Sequence, residues 1–583
     1  MKQFFKTVLA VVVGVIITTI VGLIFSLMIF GSIAAMSSTT PVLPRQGVLV
    51  VDMSKMVVAE QTMESNPLEG LSSGQVLPQI GIWDAVRAIN KAATDPAVSY
   101  IYLKVDASAS SLASIQELRR SLEKFRTSGK AVVAYTESTT TGGYYLASVA
   151  DKVYMTAHPG ATTTLTGVGS QMIFVKDLLD KLGVNVQLIR HGKYKSAGEM
   201  YIRNSASPEN LEQYQVMINS MWESLSSEIA QSRGISVESL NEAIDGLKLC
   251  LPQDFVDAGL VDELLTRDQL EAKLAALAVK DSFNEVSFIP FADYVAVNNA
   301  VISRVRDQIA VIYADGNIVD GSDVRDVAGD RFATVIRKVR QDDNVKAVVL
   351  RVNSPGGSVL ASEKIKRELD LLAEQKPLVA SYGDYAASGG YWISNNCSKI
   401  YSDAVTLTGS IGVFGMIPDF SKTLKDVAHV NIQAVTSNRH GDMYGLMRPF
   451  DSAETAYMQR SIEDVYDRFT TIVSEGRGIP KQTVDDIAQG RVWTGADAIG
   501  IKLVDEIGTL EDAITYAAIS AGTPDLAAWN VKAYAKMPTL MEQIMEMFTG
   551  TAADQDVVLL KAFGDLTKAQ CTARMPYEIS LRY

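Results

Sequence analysis

From about Gly47 onward the chain states one alternating strand and helix pattern twice, and this duplication limits the possible fold more than any other property of the sequence. TGGYYLASVADKVY begins at Thr141, and its counterpart SGGYWISNNCSKIY begins at Ser388. The first copy runs GVLVVDM, a helical stretch near Trp83 to Ala93, SYIYLKVD, a helix across Ser114 to Phe125, and KAVVAY. The second runs QIAVIYADG, a helix from about Arg331, KAVVLRVN, a helix across Ser362 to Leu372, and KPLVASYG. Short apolar runs alternating with amphipathic helices predict a parallel sheet with helical crossovers. Both copies close on related helical tails, GISVESLNEAIDG with AGLVDEL and GIPKQTVDDIAQG with IKLVDEIG. The expected organisation is an α/β chain with tandem repeats at 46–285 and 306–526, a linker at 286–305 and a C-terminal segment at 527–583. Within that last segment Met537 to Met547 is methionine-rich and amphipathic, and reads as a packing or oligomer helix.

Ahead of the repeats, residues 1–45 read as a cytoplasmic tip and a membrane anchor. No charged residue occurs between Lys6 and Arg45, and the run is apolar through Met36. That exceeds the roughly 20 residues needed to span a bilayer, whereas a cleavable signal peptide has an apolar region of roughly 7 to 15. Lys2 and Lys6 would stay in the cytoplasm, leaving everything after Pro41 outside that membrane. A 583-residue chain with 47% hydrophobic residues can bury more than one core. Its net charge of −13 argues against nucleic acid as a partner. Cys250, Cys397 and Cys571 are widely spaced and form no CxxC or Cys/His cluster, so neither a structural zinc nor a disulfide framework is implied. No cofactor is expected.

The copies differ where chemistry needs particular atoms. Ser388 in YAASGGYW is opposed by Thr141, and Gly356 and Gly357 in LRVNSPGGSV are opposed by Ala109 and Ser110. Conversely, alignment of the shared Arg-His-Gly sets Lys195 of IRHGKYKSAGE opposite Tyr444 of NRHGDMYGLMR. A strand running into a Gly-Gly turn and then a helix leaves backbone amides that can stabilise an oxyanion. The small residues around Ser388 would let a substrate backbone approach closely. A serine hydroxyl also needs a base. Of the four histidines, His191 and His440 occupy matching repeat positions, as expected of a shared structural role, which disfavours a Ser-His-Asp triad. Lysine is the remaining candidate, since Ser-Lys pairs follow the same logic. A lysine base needs its pKa brought from about 10.4 to roughly 7 to 8, which burial in a dry cleft supplies. Lys195, beside Tyr194 and small residues, suits such burial, whereas Lys193 suits solvent. Taken alone, each motif has an ordinary reading: a serine before paired glycines is common in turns, and a lysine is usually a surface charge.

Taken together, NSPGGS, AASGGYW, TGSIGV, GKYKSA and GRVWTG make the chain resemble the signal peptide peptidase A (protease IV) family in its long, duplicated, membrane-anchored form. The resemblance runs from the anchor to about Thr523. It implies two Clp protease/crotonase-like (ββα spiral) domains and a Ser-Lys dyad with Ser388 as nucleophile and Lys195 as general base. It also implies that Ser410 of TGSIGV, opposed by Val168 in the first copy, orients the lysine. The oxyanion hole would draw on Gly389 and on Gly356 or Gly357. The implied substrates are apolar fragments of cleaved signal peptides, and the implied assembly is a homotetramer. The competing readings are a crotonase-like acyl-CoA enzyme, which gives Lys195 no role, and a non-catalytic membrane scaffold.

Overall fold

The computed structural model describes residues 41–63, 77–161, 163–299 and 304–536, isolated positions within the first 40, and the backbone of Cys571–Arg574 and Leu581–Arg582. The expected membrane anchor and the Met537 to Met547 stretch lie outside the described residues, apart from those isolated positions. Among the described residues no helix is long and apolar enough to cross a membrane.

Each copy builds its own parallel sheet, in the same strand order. The first sheet runs Phe288–Pro290, Gly47–Asp52, Val98–Lys104, Val132–Thr136, Lys152–Thr156, Glu263–Leu265, with every neighbouring pair parallel. The second runs Asn530–Tyr534, Gln308–Asp315, Val345–Ser354, Leu378–Ala387, Lys399–Ser402, Glu506–Ile507, again parallel. Leu407–Gly409 adds to the far end of Leu378–Ala387 and pairs antiparallel with Val492–Thr494. Phe288–Pro290, in the stretch expected as a linker, is thus an edge strand. Asn530–Tyr534 plays the same part for the second sheet. Each covers an edge whose backbone groups would otherwise stay unpaired.

The strands read as nearly continuous apolar runs because helices cover them. Val345–Ser354 is buried at all but Lys346 and Asn353. Helix Ile82–Thr94 buries Ile82, Ala85, Val86, Ile89 and Ala92, one face at helical spacing. Helix Val359–Ala373 does the same with Ala361, Ile365, Leu369 and Leu372. Its N-terminus is fixed by Ser358, whose hydroxyl accepts a bond from Ala361 N–H at 3.2 Å.

A third sheet joins the copies. Its order is Val327–Ala328, Ile318–Val319, Gly356–Ser358, Cys571–Arg574, Val413–Asp419, Asn185–His191. The last two pair antiparallel in continuous register from Val413 with His191 to Asp419 with Asn185, so a strand of the first copy completes a sheet of the second. The copies also meet through buried charge. Arg351, 1% exposed on the second sheet, donates to Glu60 of the first copy through Nε at 2.6 Å and Nη2 at 3.0 Å. It also pairs with Glu117 at 2.7 Å, and its Nη1 donates to Ser381 Oγ and Tyr382 O. Asp403, fully buried, pairs with Arg120 of the first copy at 3.1 Å.

Removing one partner from such a buried group leaves uncompensated charge, at a cost of about 3–5 kcal/mol. Arg351→Met is therefore expected to lower unfolding free energy by about that amount in a denaturant titration. Burial also pushes the carboxyl of Asp315 up to about 7 and that of Asp384 up to about 6. Both groups keep a proton in the folded chain that the unfolded chain releases near pH 4, so stability falls as pH rises from about 4 to 7. Asp315→Asn should accordingly raise the Tm, relative to the parent protein, more at pH 8 than at pH 5.

Candidate active site

Ser388 sits where strand Leu378–Ala387 turns into helix Gly389–Ser394. Its backbone lies at φ 55°, ψ −112°, a conformation costly for a residue with a side chain. The turn is over-determined by its bonds: Ser388 N–H donates to Gly409 O at 2.8 Å, and Trp392 N–H donates to Ser388 O at 2.8 Å. The glycines after it serve the protein's own packing. A Cβ on Gly390 would stand 2.6 Å from Ser354 O, and one on Gly389 would stand 3.1 Å from Gly357 N and from Gly356 Cα. The sequence reading gave these glycines to the approach of a substrate. The close approach observed is that of the Gly356–Gly357 backbone, which this packing holds beside Ser388.

Those two glycines form part of a short strand, Gly356–Ser358, rather than a simple turn. A Cβ on Gly357 would fall 1.9 Å from Ile318 O, so only glycine fits there. Gly356 N–H donates to Ser354 Oγ at 3.2 Å. The strand also takes an antiparallel neighbour, Cys571–Arg574, which pairs on its other side with Phe414 and Gly415. An extended chain therefore lies along the glycine strand.

Lys195 arrives from the first copy. It lies just past strand Asn185–His191, whose pairing with Val413–Asp419 carries it into the second copy. It is fully buried, and its Nζ stands 3.0 Å from Ser388 Oγ, 3.0 Å from Ser410 Oγ and 3.1 Å from Ser410 O. Burial alone pushes its pKa well below the ordinary lysine value. Lys193 is exposed, with its ammonium over the Tyr194 ring. Ser410, also fully buried, holds a positive φ of 49°. A neutral amine has two N–H bonds and one lone pair. With the N–H bonds donated to the carbonyl and hydroxyl oxygens of Ser410, the lone pair is left for the Ser388 proton.

The sequence-predicted residues Ser388, Lys195, Ser410, Gly389, Gly356 and Gly357 are thus brought together within one chain. The first copy's counterparts have other work. Thr141 Oγ accepts from Thr166 N–H at 3.2 Å, and Ser110 Oγ accepts from Val58 N–H at 2.8 Å. Tyr444, opposite Lys195 in the repeat alignment, is 52% exposed. The histidines of the two Arg-His-Gly repeats do not share a role: His191 stacks on Tyr466 at 3.8 Å, whereas His440 Nδ1 bonds to Glu454 at 2.8 Å. The shared tripeptide diverges because only the first lies on the strand that crosses between copies.

Sequence reasoning missed the groups that hold the lysine loop. Arg190 Nη1 donates to Lys195 O at 2.7 Å and to Glu199 at 3.2 Å. Glu199, fully buried, also accepts from Ser207 N–H, Ser207 Oγ and Asn210 Nδ2. The Ser-Pro-Glu-Asn helix start at Ser207 was a readable signal. Nothing in the sequence pairs it with Glu199.

A buried serine on a strained strand-to-helix turn, facing a buried lysine, defines a mixed α/β serine peptidase. The profile of Peptidase family S49 matches residues 124–280 and 370–523, once in each copy. Protease 4 of Haemophilus influenzae is 34% identical over 514 residues, covering 85% of this chain and 82% of that protein. Protease 4 of Salmonella typhi is 36% identical over 523 residues, covering 87% and 83%. The chloroplastic serine protease SPPA of Arabidopsis thaliana is 31% identical over 461 residues, covering 78% and 67%. The chain belongs to peptidase family S49.

Replacing Ser410 by Ala removes one of the two acceptors of the amine N–H bonds. Peptidase kcat is expected to fall roughly 10- to 100-fold with KM little changed, a part of the 10²–10⁴ typical of positioned acid–base catalysis. Steady-state kinetics on a chromogenic peptide checks this.

Proposed function

We propose that this serine peptidase is a membrane-anchored endopeptidase in which Ser388 is the nucleophile and Lys195 the general base, and that it degrades the apolar remnants of cleaved signal peptides. The observation that carries the reading is the 3.0 Å approach of Lys195 Nζ to Ser388 Oγ, both fully buried. The neutral amine takes the hydroxyl proton while Ser388 Oγ bonds to the peptide carbonyl carbon. The resulting oxyanion is held by backbone amides, with Gly389 N–H and Gly357 N–H as the donors. Gly356 is less suited, because its N–H already serves Ser354 Oγ. Collapse of the tetrahedral species breaks the C–N bond, and the lysine returns its proton to the departing amine. The same amine then takes a proton from water, which hydrolyses the acyl-enzyme.

The peptide character of the substrate is supported by the extended chain already paired along Gly356–Ser358, a geometry that reads backbone rather than charge. The apolar run between Lys6 and Arg45 would anchor the protein in the cytoplasmic membrane, N-terminus inside, with both repeats outside beside such substrates. The repeats, whose sheets take in Phe288–Pro290 and Asn530–Tyr534 beyond the expected bounds of 46–285 and 306–526, would each carry the Clp/crotonase-like spiral, a reading supported by their identical parallel strand order. A homotetramer is the proposed assembly, readable by light scattering of the detergent-solubilised chain.

Ser388→Ala and Lys195→Ala should each reduce hydrolysis of a synthetic signal peptide at least 10³-fold while far-ultraviolet circular dichroism stays unchanged. Substantial activity in either variant would sink the dyad. Because Lys195 acts unprotonated, kcat should rise with pH and level off once the lysine has lost its proton. Its lowered pKa places that plateau well below the ordinary lysine range. A pH–rate profile flat from acid to alkaline conditions, with chemistry limiting, would count against a lysine base. An apolar signal peptide should also be cut faster than a polar peptide of equal length, and equal rates would remove the substrate assignment.

A further inference from the structure

GRVWTG, one of the motifs that marks the family resemblance, supplies no atom to the chemistry described above. It nevertheless lies between the two groups that must meet. Gly490 N–H donates to Ile411 O at 2.8 Å, and Ser410 N–H donates to Arg491 O at 2.7 Å, so the turn is tied to the strand end that carries Ser410. On its other side Tyr194 N–H donates to Gln489 O at 2.9 Å, so the same turn is tied to the loop that carries Lys195.

The contacts leave no slack. A Cβ on Gly490 would stand 2.5 Å from Lys195 Cβ and 2.7 Å from Lys195 Cα, and Gly490 itself holds φ 80°. From the opposite side, a Cβ on Gly192 would stand 2.4 Å from Gln489 C and O. Two side chains close the joint. Gln213, 3% exposed, accepts from Val492 N–H through its carbonyl and donates to Tyr194 O through its amide. The Arg491 guanidinium stands 4.9 Å from the Tyr194 ring centroid and 4.5 Å from that of Trp493.

We infer that the Gln489–Val492 turn is the device that positions the base, and that Gly490 is the positioning residue that sets where Lys195 stands relative to Ser388 and Ser410. The inference rests on the assignment of Lys195 as base. A side chain at position 490 drives the lysine backbone away from the second copy and withdraws the amine from its dry contact with the two serines. The groups at the amine itself are the hydroxyls of Ser388 and Ser410 and the Ser410 carbonyl. Among the charged and titratable side chains on the packed elements, Arg190 pairs with Glu199 and Arg491 with Glu212, Asp485 accepts from Gln489 Nε2 and the Tyr466 hydroxyl, His191 stacks on Tyr466, and Lys193 is exposed over the Tyr194 ring. Displacement therefore alters mainly the lysine's burial.

The test compares Gly490→Ala with Gly478→Ala in the full-length protein. Gly478 has a similar positive φ of 63°, but nothing lies within 4 Å of its added methyl, so it carries the strain without the contact. With a synthetic signal peptide as substrate, Gly490→Ala is expected to lower kcat at least 100-fold with KM within threefold. The acidic limb of kcat against pH should move to higher pH as the lysine regains solvent. Gly478→Ala should keep kcat within threefold and the limb in place. The inference is overturned if Gly490→Ala retains kcat within threefold, or if kcat falls with the limb unmoved. Should Gly490→Ala fail to fold, Gly412→Ala takes its place. Its methyl would meet Gly490 Cα at 2.7 Å and Lys195 Cδ at 3.2 Å, and an unchanged kcat and pH profile there is equally fatal. Lys195→Ala run alongside separates the two readings. Retained activity in that variant defeats the base assignment, whereas loss there with a normal Gly490→Ala defeats only the turn's role.

Discussion

The pairing of Asn185–His191 with Val413–Asp419 is the interaction on which the site depends, because it carries the Lys195 loop of one copy to Ser388 of the other. The copies also share an apolar core, in which Ile309, Val311, Val349 and Val379 of the second sheet lie in one cluster with Leu49, Ile101 and Leu118 of the first copy. Through the strand pairing, a strand from the first copy becomes an edge of a sheet in the second, and the loop that follows enters a space already lined by Ser388, Ser410 and the Gly490 turn. Backbone ladders fix position along the strand strongly, since a slip of one residue would turn every side chain to the opposite face. Lys195 thus reaches its place by register, and the bonds of Arg190 and Glu199 then hold the loop's shape.

Burial does two jobs at this junction. It excludes water from the lysine amine, which favours the neutral form that can accept a proton. It also demands that each N–H of that amine find an acceptor, and among the described residues the oxygens bonded to it besides Ser388 Oγ are those of Ser410. The same dry interior makes the interface between copies depend on compensation. Arg351 is tolerable because Glu60, Glu117, Ser381 and Tyr382 take up its charge and donors. Burial makes Asp315 and Asp384, which accept from Asn353 Nδ2 and Ala113 N–H, hold their protons to higher pH.

Division of one site between two related copies also explains how they differ. The first copy keeps the strand order but not the reactive turn: Thr141 and Ser110 spend their hydroxyls on backbone amides. The second keeps the reactive turn but carries Tyr444 where the first has its lysine, and that side chain faces solvent.

Much of this was legible in the chain itself. Apolar runs alternating with helical periods specify parallel strands and crossovers, because that pattern has few other ways to bury its surface, and the strands from Gly47 and from Gln308 fall where the pattern puts them. Ser388 and Lys195 stand out because the copies differ at those positions, whereas Ser410 is implied by the family resemblance. The sequence could not say that Lys195 meets Ser388 within a single chain, that the glycines after Ser388 admit a neighbouring strand, or that Gln213 and the Gly490 turn join the two loops. Those are long-range matters. They depend on which strand edge pairs with which and on distances of a few tenths of an ångström between backbones far apart in sequence, and local preference carries no record of either.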